Sequence, residues 1–187
     1  MIPRTLANWQ RFTAIGVTAV SSLVLCLIIF AILFVTIILP VSRGWWLHHT
    51  LVSALDDATS VQVVEHSNPM DLWGREENEA ATHQEIIYAD LPLTAEQIAA
   101  LRQALPMAWD YSGMADLICL FNDHHAIRIT RRNGSVLTLQ LCFICGELVV
   151  DGGPKRIMPS GWHSSLSKFM ISLGLHPKGP FPPEKKN

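Results

Sequence analysis

The chain has 187 residues, 49% of them hydrophobic, with 14 Lys plus Arg against 16 Asp plus Glu and a formal net charge of −2. Without a basic surplus it lacks the electrostatic footprint of a phosphate-backbone binder, so nucleic acid is excluded as an expected partner. The length leaves room for one small domain with a single core once an apolar N-terminal segment is set aside.

Residues 1–11 read as a short tail ending in Arg11. From Phe12 to Ser42 no residue is charged, and "SSLVLCLIIFAILFVTIIL" is almost uniformly apolar. At a rise of about 1.5 Å per residue this run exceeds the roughly 20 residues needed to cross a bilayer core. The reading is a single transmembrane helix over residues 12–41, with the lipid bilayer as its partner. Pro40 is expected to close it, because proline removes a backbone donor and disrupts helix continuation. Trp9 on one side and Trp45 with Trp46 on the other suit an interfacial aromatic belt. A cleaved signal peptide competes with this reading. The apolar run is about twice the usual 7 to 15 residues, and no A-x-A-like site follows, which favours a retained signal-anchor. Arg4 and Arg11 precede the span; Arg43, His48, His49, Asp56 and Asp57 follow it. The positive-inside rule then leaves the N-terminus in the cytoplasm and the folded domain outside it.

Residues 42–81 are read as a juxtamembrane segment and connector. "LHHTLVSALDD" suits a short helix, "SVQVVEH" alternates as a strand does, and "SNPMDLWGREENEAATH" is polar with Pro69 and Gly74. The compact domain is placed at residues 82–176, starting near Thr82; whether "SVQVVEH" joins its sheet is open at this point.

"EIIYADL" is a strand candidate, and "LPLTAEQIAALRQALP" a helix with its start written out. Thr94 is the N-cap, Gln97 completes a capping box, and Leu93 with Ile98 forms a hydrophobic staple. Ile98, Leu101 and Leu105 share a face, and Pro106 stops the run. "ADLICLF" is another strand, and "HHAIRITRRNGSVLTLQLCFIC" a hairpin. A two-residue Asn133-Gly134 turn would pair Ile129 with Thr138 and mix the faces. A three-residue loop, Arg132-Asn133-Gly134 with Gly134 left-handed, pairs Ile129 with Leu137 and Ile127 with Leu139. The same register sets His125 opposite Leu141 and His124 opposite Cys142. A final amphipathic helix in "PSGWHSSLSKFMISLGLHP" carries Trp162, Leu166, Phe169, Met170 and Leu173 on one stripe and ends at Gly174. Residues 177–187 form a Pro-rich, basic tail of disordered composition. The predicted fold class is α+β: after the membrane helix, an antiparallel sheet of about four strands flanked by two helices, in the order β-α-β-β-β-α.

Chemistry concentrates on Cys119, His124, His125, Cys142 and Cys145, Cys26 being a small residue of the apolar span. A zinc site would take Cys142 and Cys145 as a CxxC knuckle and complete its tetrahedron with Cys119 and His124 or His125. A thiol-redox pair would use Cys142 and Cys145, but redox CxxC motifs open helices, and here "GELVV" reads as strand. A structural reading needs only a disulfide, Cys142 to Cys145 for example, or buried thiols; outside the cytoplasm one bridge would leave one cysteine over. Hydrolysis has thin support: Ser164, Ser165, Asp123 and His163 come without a G-x-S-x-G elbow or HExxH, and "VDGGPKR" is no phosphate loop.

The run from Cys119 through "HHAIRI" and "LTLQLCFIC" to the closing "WHSSLSKFMISLGL" helix resembles small uncharacterised proteins in which a His-x-apolar-x strand precedes a strand carrying CF-x-C. This chain lacks the Pro-Arg that precedes the histidine in them. The resemblance implies one constellation of cysteines and a histidine, and no activity or cofactor. The expectation is therefore a membrane-anchored, non-enzymatic binding or structural domain with a protein partner of unknown identity, no resident cofactor, and cysteines that are mainly structural. The alternative is a zinc-binding or thiol-redox domain built on Cys119, His124, Cys142 and Cys145.

Overall fold

The computed structural model describes residues 20–68, 71, 85–108 and 121–177. The expected N-terminal tail, the first residues of the span, the "ADLICLF" strand before Phe121, most of the polar connector and the basic tail lie outside them. The chain forms two units, Met1–Pro40 and Val41–Asn187.

The described part of the first unit is helical. It belongs to α1 (Val20–Asp56), whose most apolar window has a mean hydropathy of 3.2 and no residue buried within the protein. Pro40 does not end this helix, which corrects the expectation that the proline would stop it, although the boundary between the two units falls just after it. The turn just before the proline, Phe34–Ile38, is a π turn, and the Leu39 N–H reaches back to the Phe34 carbonyl. A widened turn relieves the backbone where the proline ring would press on the carbonyl four residues earlier, so the helix absorbs the missing donor. The Thr36 hydroxyl also donates to the Ile32 carbonyl at 2.8 Å.

The second unit is built on a six-stranded antiparallel sheet of order β2-β1-β3-β4-β5-β6. Its strands are β1 (Ala58–His66), β2 (Ile87–Pro92), β3 (His125–Arg131), β4 (Val136–Cys142), β5 (Glu147–Val150) and β6 (Arg156–Ile157). Two further helices are α2 (Ala95–Gln103) and α3 (Trp162–Ser172). The sheet thus exceeds the four strands expected. β1 pairs with β2 on one side and β3 on the other, Val63 facing both Leu91 and Ile127. The folded unit therefore begins well before Thr82, because "SVQVVEH" supplies an interior strand.

The β3–β4 hairpin has the longer loop. Ile129 pairs with Leu137, Ile127 with Leu139 and His125 with Leu141. Gly134 adopts φ +82°, a conformation that costs glycine little, and its N–H bonds the Arg131 carbonyl at 2.9 Å. The period-two pattern then turns Val61, Val63, Ile127, Ile129, Leu137, Leu139, Leu141 and Leu148 to one face. They share a core with Leu47, Leu51 and Leu55 of α1, Leu101 of α2, and Trp162, Leu166 and Met170 of α3. Among the described residues three helices, not two, contribute to that core, since the C-terminal part of α1 carries its own apolar stripe.

Polar ties fix the helices to one another. The Trp162 indole donates to the Pro106 carbonyl at 2.7 Å, and His48 Nδ1 donates to the Leu105 carbonyl at 2.8 Å. The start of α2 carries the expected capping box: the Thr94 N–H bonds Gln97 Oε1 at 2.8 Å and the Gln97 N–H bonds Thr94 Oγ1 at 3.2 Å. Thr94→Ala is expected to lower stability by about 1 kcal/mol, read as a shifted denaturation midpoint with unchanged slope.

Candidate functional site

Ionisable side chains gather where β1 ends and β3 begins. Antiparallel pairing sets Glu65 opposite His125, and the ladder continues with the His66 N–H donating to the His124 carbonyl at 2.9 Å. Strand alternation sends Glu65 and His125 to the core face and turns His66 and His124 the other way.

On the core side, Glu65 is 2% and His125 1% exposed. His125 Nε2 lies 3.1 Å from Glu65 Oε1, the His176 backbone N–H donates to the same oxygen at 2.8 Å, and His176 Nδ1 is 3.4 Å from Oε2. The His125 ring meets Phe143 edge-on, with centroids 5.3 Å apart, and Phe143 in turn meets His163 at 5.9 Å. Burial draws the His125 pKa below its ordinary value and outweighs the opposing pull of Glu65. Burial also pushes the Glu65 carboxyl up, but the hydrogen bonds from His125 and His176 together outweigh it and leave the pKa lowered. The pair is therefore a carboxylate receiving a proton donor from a neutral imidazole, the form in which a buried charge is tolerated.

On the other side, His124 Nε2 lies 2.7 Å from Asp71 Oδ1, and the Asn68 N–H donates to Asp71 Oδ2 at 2.9 Å. The Asn68 amide donates to Asp123 Oδ1 at 2.9 Å, and the Gln140 amide to Asp123 Oδ2 at 2.9 Å. His66 Nδ1 donates to the Ser67 carbonyl at 3.0 Å and lies 3.3 Å from Glu85 Oε1. Every oxygen of both aspartates has a donor. Such closure fastens the residues after β1 onto the approach to β3 and onto β4. It works as a clasp between these segments.

The cysteines divide differently from any CxxC pair. Cys142, the last residue of β4, is a buried free thiol, and its Sγ accepts the Cys145 N–H at 3.3 Å. Cys145 is disulfide-bonded, so the Cys142–Cys145 bridge raised from spacing does not exist here. The reason is positional: Cys142 pairs in the ladder with Glu147, whereas Cys145 stands in the tight turn between β4 and β5. Cys119, the remaining cysteine outside α1, lies outside the described residues.

Of the four residues named for zinc, His124, Cys142 and Cys145 are described and Cys119 is not. His124 is bonded to Asp71, Cys142 sits under its turn, and a disulfide sulfur is not the thiolate a metal takes. Among the described residues no three His, Cys, Asp or Glu are grouped to hold a metal ion. The motif is followed by strand β5. The Ser-His-Asp set does not form either: His163 Nε2 donates to the Phe143 carbonyl at 2.8 Å and Ser165 Oγ to the Ala104 carbonyl at 2.5 Å. Glu65 went unnoticed in the sequence, although its place after Val61 and Val63 on one face of an alternating strand marks it as a buried charge. No family model matches the chain, and no curated protein and no solved structure matches it either.

Proposed function

We propose that the chain is a single-pass, membrane-anchored protein whose second unit is a non-enzymatic binding or structural domain outside the cytoplasm, with structural cysteines and a protein partner. The observation that carries this is the uncovered apolar helix. Val20, Leu23, Phe30 and Val35 are 62%, 62%, 61% and 53% exposed, and a patch of this kind calls for lipid or protein cover. Trp45 and Trp46, both exposed, follow the apolar run as interfacial anchors do. A disulfide at Cys145 suits an oxidising compartment, in agreement with the charge asymmetry around the span. The bonded carboxylates of Asp71 and Asp123 favour a scaffold over a catalyst. The test is protease treatment of intact cells expressing the full chain. Digestion of the domain from outside is expected; protection lost only on lysis would reverse the topology.

The zinc or redox alternative on Cys119, His124, Cys142 and Cys145 requires Cys145 to leave its disulfide. Protein purified without chelator or reductant is expected to hold less than about a tenth of an equivalent of zinc. Stoichiometric zinc would replace the structural reading of the cysteines.

A further inference from the structure

We propose that Ser42, Arg43, Trp46 and Arg156 form a binding site for the phosphate of an anionic lipid headgroup. The proposal rests on the membrane-anchored reading. These four residues line a shallow open cleft of about 320 Å³. Ser42, Arg43 and Trp46 lie on one turn of α1, at spacings of three and four residues that bring side chains to a common face. Arg156 comes from β6 at the sheet edge, far away in sequence, through the pairing of Leu148 with Arg156. Its guanidinium stands over the Trp46 ring, 5.4 Å from the centroid.

Two guanidinium groups delivered to one cleft by separate elements suit a phosphodiester. The planar fork of arginine matches phosphate oxygens with two parallel N–H donors, and the Ser42 hydroxyl adds a third kind of donor. An exposed indole in the lining of the cleft suits the glycerol and upper acyl region beside the phosphate, the depth at which tryptophan concentrates in membranes. Arg43 and Trp46 also follow the last apolar residues of the span within a few positions in sequence. A soluble phosphate ester would engage the same arginines but has no use for that indole, so the lipid is the occupant favoured.

The test reconstitutes the full chain into nanodiscs of phosphatidylcholine mixed with phosphatidylglycerol and counts retained lipids by native mass spectrometry after gentle release. Wild type is expected to retain phosphatidylglycerol over phosphatidylcholine. Arg43→Gln and Arg156→Gln should each reduce that preference by about fivefold, the effect of removing one cation near an anionic surface. An unchanged melting temperature shows that folding is intact. If Arg156→Gln fails to fold, Arg43→Gln, on the exposed side of α1, decides the matter alone. Equal preference in wild type and Arg43→Gln overturns the proposal. So does full displacement of the lipid by millimolar inorganic phosphate, which would assign the site to a soluble anion. A chain that never enters nanodiscs defeats the anchored reading itself; entry without selectivity defeats only this site.

Discussion

Glu65→Ala is expected to destabilise the second unit by about 2 to 4 kcal/mol, the cost of leaving two buried N–H donors without the charged acceptor they share. Truncation removes the acceptor for both His125 Nε2 and the His176 backbone N–H and opens space at a residue that is 2% exposed. The same pair sets the pH dependence. His125 has a lowered pKa in the folded protein, so below about pH 6.5 the unfolded chain takes up a proton that the fold refuses, and acidification favours unfolding. The Glu65 carboxyl is also lowered; its contribution is complete above the ordinary carboxylate range and is lost only as pH falls through its own, lower value. Melting temperature should therefore decline in two steps from pH 7.5 downward. His125→Gln should flatten the first step while lowering stability throughout. A wild-type melting temperature that rises between pH 7 and 5 would contradict the assignment.

Cys145→Ser is expected to cost about 2 to 5 kcal/mol, the usual range for losing a native disulfide from a small domain. Cys142→Ala should cost less, about 1 to 2 kcal/mol, since it loses a buried sulfur and its turn-closing acceptor but no cross-link. Peptide mapping without reduction checks the chemistry behind the contrast: Cys142 should be alkylated as a free thiol after denaturation, and Cys145 should be found cross-linked. Equal destabilisation by the two changes, with both peptides joined to each other, would restore the CxxC bridge.

Features encoded within a few residues were readable before any fold was known. The α2 capping box needs only Thr94 and Gln97, and the hairpin register needs only alternation plus a left-handed glycine at 134. What escaped depends on distant pairings. The interior place of β1 arises from partners on both sides that no local pattern announces, and β6 is too short for periodicity to reveal. Asp71 and His124 are 53 positions apart and Asn68 and Asp123 are 55 apart, so the clasp appears only once β1 and β3 are paired. Pro40 misled for a physical reason: a proline ends a regular α-helix, and the π turn before it is the irregularity that lets α1 continue. Spacing likewise made Cys142 and Cys145 look equivalent, whereas one belongs to a strand ladder and the other to a turn.

Alkaline carbonate extraction of membranes from cells making the full chain tests the central claim most directly, with the intact mass of the product read afterwards. The account predicts a chain that stays in the pellet, is released only by detergent, and retains residues 1–40. A carbonate-soluble protein, or a soluble product from which that stretch has been clipped, would contradict it.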